Sequence, residues 1–235
     1  MASNCWRIAS GMLLVPAAVA VVAGCGSSGG SSTAASSSTA STAANGALTA
    51  ATLREALLTR VNGVGAAAPA SSGTYASMQA ASTKAASGVQ VSPKACTQAA
   101  TAGFNSAALA ASPAAAVTFR VGTNGVSEVL IGSSAKSAAT VLAGQVPAEC
   151  ATYQETIAGK TYTYDLKEKS ISGVGQQARV LNVAAASGKS EEVWSLVYQG
   201  KGFIGTVTVV GPNATEQAVT ELGQQAYAFA TKALS

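Results

Sequence analysis

TYQETIAGKTYTYDLKEK (residues 152–169), QARVLNV (177–183) and EEVWSLVYQGKGFIGTVTVV (191–210) carry the reading of the fold. The first and third stretches are rich in Val, Ile, Thr and aromatic residues and the second in Val and Leu, residues that pack well on a pleated surface, and glycine-containing turns such as Ala158-Gly159-Lys160 separate the runs. YQETI, TYTYDLKEK, QARVLNV, EEVWSLVY and GFIGTVTVV therefore read as five strands of an antiparallel meander. In the fourth, Trp194, Leu196 and Tyr198 share one face, opposite Val193 and Val197.

The segments on either side supply a hairpin and helices. VTFRV (117–121) and VSEVLI (126–131) flank Gly122-Thr123-Asn124-Gly125, and Asn124-Gly125 predicts the positive backbone angles of a tight hairpin turn. Ser134 caps a predicted helix over 135–145 that Val146-Pro147 ends, with Cys150 just beyond. Asn213 reads as an N-cap with Glu216 three residues on, starting a helix to about Ala233 with Val219, Leu222, Ala226, Phe229 and Ala233 along its sheet-covering side.

Toward the N-terminus, Leu53, Leu57, Leu58 and Val61 fall at helical spacing, and Asn62-Gly63 and Gly65 stop that helix. Residues 66–91 are Ala/Ser-rich and carry Tyr75 and Met78 as their large apolar groups before Val89, so they yield no firm pattern. Ser92-Pro93 predicts a helix over 93–102 that carries Cys96. No regular strand-helix alternation calls for a parallel sheet. The expected class is α+β, a single domain over 49–235 with the meander packed by a C-terminal helix and smaller N-terminal ones.

Composition removes whole classes of chemistry. The 235 residues are 48% apolar and 10% charged and include no His, and Asp165 is the single Asp. Ser-His-Asp and Cys-His nucleophiles and His-based metal sites are thereby excluded, and no metal or cofactor is expected. The net charge of +4 comes from 14 basic and 10 acidic residues with no basic run, so no nucleic-acid partner is expected.

Residues 1–25 read MASNCWRIASGMLLVPAAVAVVAGC: an early Arg7, an apolar stretch from Met12 to Ala23, then small residues up to a Cys. This is a secretory signal layout, shorter in its apolar part than the roughly 20 residues of a stable membrane-spanning helix. Val22-Ala23-Gly24-Cys25 resembles the bacterial lipobox. That resemblance implies cleavage after Gly24 by signal peptidase II, a diacylglyceryl thioether on Cys25, and a protein held at the extracytoplasmic face of the cell membrane. Residues 1–24 are then the signal and 25–48 the lipidated Cys and tether, because 26–47 contain only Gly, Ser, Thr and Ala apart from Asn45.

With Cys5 removed and Cys25 lipidated, Cys96 and Cys150 remain as an even pair in an oxidising compartment, which predicts a disulfide. Cys96 in an early helix, a hairpin and helix leading to VPAEC with Cys150, aromatic strands and a closing amphipathic helix together resemble the extracellular sensor domains and lipoproteins grouped around actinomycete PknH-type kinases. The resemblance covers mainly residues 91–235 and implies an α+β fold with a cleft for a small ligand. Domains of that group commonly carry two disulfides, whereas this chain has cysteines for one.

Four motifs invite enzymatic readings and each has a simpler one. Gly188-Lys189-Ser190 lacks the first glycine of a phosphate loop and leads into a strand. Gly173-Val174-Gly175-Gln176-Gln177-Ala178 likewise opens a strand, where a dinucleotide site needs a helix. Ser133 and Lys136 have the spacing of penicillin-recognising acyltransferases without the companion elements, and Ser134 serves as a cap. Glu191 and Glu192 are adjacent on a strand and so point to opposite faces. The expectation is a protein that is not an enzyme.

The large rings concentrate in the meander, and Trp194, Tyr198, Tyr162 and Tyr164 are the candidates for lining a ligand groove. The functional expectation is a membrane-anchored module that binds or senses a small or lipidic ligand. The alternative is a structural or assembly lipoprotein that binds an envelope protein without a ligand.

Overall fold

The structure, a computed structural model, describes residues 48–85, 88–97, 107–187 and 192–235. In chain order the elements are α1 (Ala50–Glu55), β1 (Arg60–Val61), β2 (Val64–Gly65), β3 (Ser71–Thr74), α2 (Tyr75–Ala85) and β4 (Val89–Ser92). The hairpin β5 (Pro113–Val121) and β6 (Asn124–Gly132) follows, then α3 (Ala135–Ala143), β7 (Thr152–Ile157) and β8 (Lys160–Ile171). The last elements are β9 (Ala178–Ala185), β10 (Glu192–Gly200), β11 (Phe203–Gly211) and α4 (Glu216–Ala233). Nine strands form one sheet in the order β3-β5-β6-β11-β10-β9-β8-β7-β4. Every neighbouring pair is antiparallel. The α+β architecture and the five-strand meander β7–β11 are as expected, and the hairpin β5–β6 joins the same sheet beside β11.

Strand alternation divides the core into layers. Along β10, Leu196 and Tyr198 lie in a cluster on one face with Leu53, Leu57, Val207, Val219 and Leu222. That first face is covered by α1 and α4. Val197 points the other way, into a cluster with Tyr75, Ile131, Ala138 and Val141, so α2 and α3 cover the second face. Farther along the second face, Val183 and Val193 pack with Tyr153, Tyr164 and the two half-cystines. Cys96 and Cys150 form the expected disulfide, with Cα atoms 5.3 Å apart, and both residues are fully buried.

Close backbone approach shapes the first face. A Cβ on Gly223 would meet Leu196 Cδ2 at 2.8 Å, so the missing side chain lets α4 lie down on β10. Gly205 does the same for the Tyr198 ring, which occupies the space a Cβ would take. Gly205→Ala is therefore expected to displace a fully buried ring and to cost about 1–3 kcal/mol, read as a lower urea midpoint. An unchanged midpoint would show that the ring relocates freely.

Several local expectations are corrected. The first helix ends at Glu55, and Asn62-Gly63, read as its stop, instead forms the turn of the β1–β2 hairpin, with φ of 49° and 80° and Val61 opposite Val64. Those are the positive angles of a primed two-residue turn. In the β5–β6 hairpin Val121 pairs with Asn124, so the turn residues are Gly122, at φ 60°, and Thr123, and Asn124-Gly125 already belongs to the strand.

The cap of α4 is Thr215, whose side chain accepts from the Ala218 N–H. Asn213 is occupied elsewhere: its N–H donates to Asn124 Oδ1 and its side chain to Thr123 Oγ1, each at 3.3 Å, tying two loops together. The buried side of α4 is Val219, Leu222, Gly223, Ala226 and Ala230, while Phe229 is exposed. Of the helix expected over 93–102, Cys96 begins a helical turn with its N–H on Pro93 O, and residues 98–102 lie outside the described residues.

Candidate functional site

The site begins with two charges on neighbouring strands. Arg179 on β9 and Glu168 on β8 both point to the second face, where Arg179 stands opposite Ser170 and Glu168 opposite Leu181 in register. That places them diagonally across the strand pair, within reach of long side chains. Arg179 Nη1 donates to Glu168 Oε1 at 2.7 Å and also to the carbonyl of Gly144. The other carboxylate oxygen, Glu168 Oε2, accepts from the Val146 N–H at 2.9 Å. The pair thus fastens the loop that leaves α3 onto the sheet. The side chains are only 5% and 18% exposed, so removing one partner would strand the other charge away from water.

Two clefts flank this pair. One, of about 510 Å³, lies between Leu142-Ala143 at the end of α3 and residues 170–179, the link from β8 to β9 with the strand ends that flank it. The other, of about 610 Å³, lies between the loop 145–148 and the β8 side chains Leu166 and Glu168. They share Leu142, Ala143, Ser170 and Arg179 as lining. The β8–β9 link that walls the first cleft is itself fixed: the Gln176 N–H donates to Gln199 O, and the Gln199 N–H to Gln177 O, each at 2.9 Å. Val174 within it is 1% exposed and plugs the first-face core.

The four rings expected to line one groove are not brought together. Tyr198 is fully buried on the first face, edge-on to Phe203 and Tyr227 with centroids 6.2 Å and 5.8 Å away. Trp194 packs on the same cluster, with its indole N–H donating to Glu192 Oε2 at 2.8 Å. Tyr164 lies on the second face, stacked at 5.6 Å on Tyr153 beside the disulfide. Tyr162 is the exposed member of the four. None of them lines either cleft.

Two buried carboxylates stand apart from the clefts. Glu128 on β6 is 1% exposed within the first-face core; its Oε2 accepts from the Leu58 N–H at 2.7 Å, and its Oε1 has no hydrogen-bond partner. Desolvation pushes its pKa up from 4.5 to about 8, against the Leu58 hydrogen bond that pulls it down. Glu155 on β7, 2% exposed, is likewise pushed up to about 7 by burial. Burial also raises the Tyr198 hydroxyl well above its ordinary value, with Glu128 and Tyr227 adding to it, and that hydroxyl too is unpartnered.

The enzymatic motifs resolve as follows. Ser134 is the N-cap of α3, accepting from Ser137 N–H; Ser133 Oγ donates to Ser134 O at 3.2 Å, and Lys136 is exposed. Gly173–Ala178 is the pinned link into β9 described above. Gly188, Lys189, Ser190 and Glu191 lie outside the described residues, as do Cys25 and the tether to Ala47. Among the described residues no group of His, Cys, Asp and Glu is placed to hold a metal ion, and no helix is long and apolar enough to cross a membrane.

No protein-family model matches the chain, and no curated protein matches it. Among solved structures it is similar to the extracellular domain of PknH from Mycobacterium tuberculosis. The two share 16% identity at a TM-score of 0.45, over 62% of this chain and 77% of that one. A second similar structure is an uncharacterised protein of Mycobacterium smegmatis, the Rv0999 ortholog, with 16% identity and a TM-score of 0.34 over 63% of this chain and 76% of that one.

Proposed function

We propose that this chain is a lipid-anchored extracytoplasmic module that captures a small ligand in the paired clefts beside Arg179 and Glu168. The observation that carries the reading is the way those clefts are walled. One wall is the loop locked by the Arg179–Glu168 pair, and the other is the β8–β9 link locked to Gln199. Fixed polar groups around a preformed concavity are the ordinary makings of a small-ligand site. The disulfide supports an oxidising compartment, and the Val22-Ala23-Gly24-Cys25 segment supports anchoring through Cys25.

Two measurements test it. Cys25→Ala is expected to release the protein from the membrane fraction or to arrest it as the uncleaved precursor. A variant retained in membranes at the mature mass would remove the anchor from the proposal. Ser172→Trp, at an exposed position on the rim of the first cleft, fills the cleft without touching the core. Native mass spectrometry of protein isolated from the envelope is expected to show a ligand adduct that this variant lacks. An adduct equally present in the variant would place the ligand elsewhere.

A further inference from the structure

We infer that the ligand of these clefts is a neutral, hydroxyl-rich molecule, an oligosaccharide; the inference rests on the reading of the clefts as the binding site. The exposed uncharged polar side chains around the two rims are Gln145, Gln176, Gln177, Ser170 and Ser172, and the exposed charge there, Lys169, is neutralised by Glu216 at 2.6 Å. Amides and hydroxyls offer both donors and acceptors, which is what a sugar hydroxyl, itself donor and acceptor, requires of its partners. The charges at the junction have opposite sign and are bonded to each other at 2.7 Å, so together they select for neither an anion nor a cation.

Other ligand classes find less to hold. The described lining residues include no Phe, Tyr, Trp or Met, so a nucleobase has no ring to stack on and an acyl chain no deep apolar slot. An extended peptide adds to a free strand edge, but β8 is bonded on both sides, to β7 and β9, and β9 to β8 and β10. The two clefts, about 510 and 610 Å³, meet at Leu142, Ala143, Ser170 and Arg179, so linked sugar rings can lie across both while a single ring fills part of one.

The test is saturation-transfer difference NMR on the mature protein with chitotetraose, cellotetraose and maltotetraose, with glucose as the single-ring probe and palmitate as the lipid probe. At least one tetrasaccharide is expected to receive saturation, with glucose weaker. Gln145→Ala combined with Gln177→Ala, which removes an amide from each cleft rim, is expected to weaken that binding about tenfold. Tetrasaccharide binding that the double variant leaves unchanged overturns the inference. So does a palmitate signal lost in the double variant with every sugar silent, although the clefts then stand as the ligand site. Silence from all three tetrasaccharides while the Ser172→Trp-sensitive adduct persists overturns the sugar assignment alone.

Discussion

Cys150→Ser should lower the unfolding free energy by about 4 kcal/mol, seen as a large drop in the urea midpoint. The bridge joins residues 54 positions apart, so its loss returns the entropy of a long loop to the unfolded chain. Packing adds to the effect. Both half-cystines are fully buried among Tyr153, Tyr164, Leu166 and Val183, and a serine hydroxyl in that cluster would have to find a new partner or remain unbonded. Cys96→Ala with Cys150→Ala separates the two contributions, because it removes the crosslink without inserting a hydroxyl. A midpoint for the double variant equal to that of the parent would mean that the crosslink contributes nothing.

Stability should also fall as pH rises from about 4.5 to about 8. Glu128 keeps its proton in the folded protein up to about 8, whereas in the unfolded chain it ionises near the ordinary 4.5. Between those values the unfolded state releases a proton that the native state retains, so each pH unit favours unfolding by about 1.4 kcal/mol. The penalty is absent below 4.5 and levels off above 8, where it reaches the order of 5 kcal/mol. Glu155 adds a similar slope that ends nearer 7. Glu128→Gln retains an oxygen for the Leu58 N–H but cannot ionise, so its stability should vary less with pH and exceed that of the parent most at pH 9. Parallel stability curves for parent and variant would show that Glu128 ionises in the native state without cost.

The meander is legible because its strands are runs of β-branched, aromatic and other apolar residues and its links contain glycine, so β7 to β11 can be placed from local pattern alone. The β3–α2–β4 segment could not. Its strands are Ser-Ser-Gly-Thr, which has no large apolar residue, and Val-Gln-Val-Ser, which has only two, and they are held by pairing to Ala114–Ala116 and to β7, which are distant in sequence. Asn62-Gly63 was misassigned for a related reason, since the same dipeptide ends helices and turns hairpins and only the Val61–Val64 pairing decides which.

The Arg179–Glu168 pair was hidden by register. Eleven residues separate the two, and nothing short of the β8–β9 alignment sets them on one face. The signal that could have pointed to it was Arg179 itself, a charge at an inward position within the otherwise apolar Ala178–Leu181 run. The rings mislead in the opposite sense: large aromatics mark the core of each face, while the clefts are lined by glutamine, serine and aliphatic residues around the Arg179–Glu168 pair and Lys169.

β3 and β4 are the two borders of the sheet, yet one short piece of chain connects them. Eight inter-strand spacings laid flat would put those borders about 38 Å apart. From Thr74 to Val89 the chain passes through α2, Tyr75–Ala85, and can reach at most about 32 Å, counting the helix at 1.5 Å and the other steps at 3.5 Å per residue. A flat sheet is therefore out of reach for its own backbone, and the nine strands must curl toward the side that α2 crosses. The connection acts as a bowstring: at its present length it keeps the two borders within about 32 Å of each other.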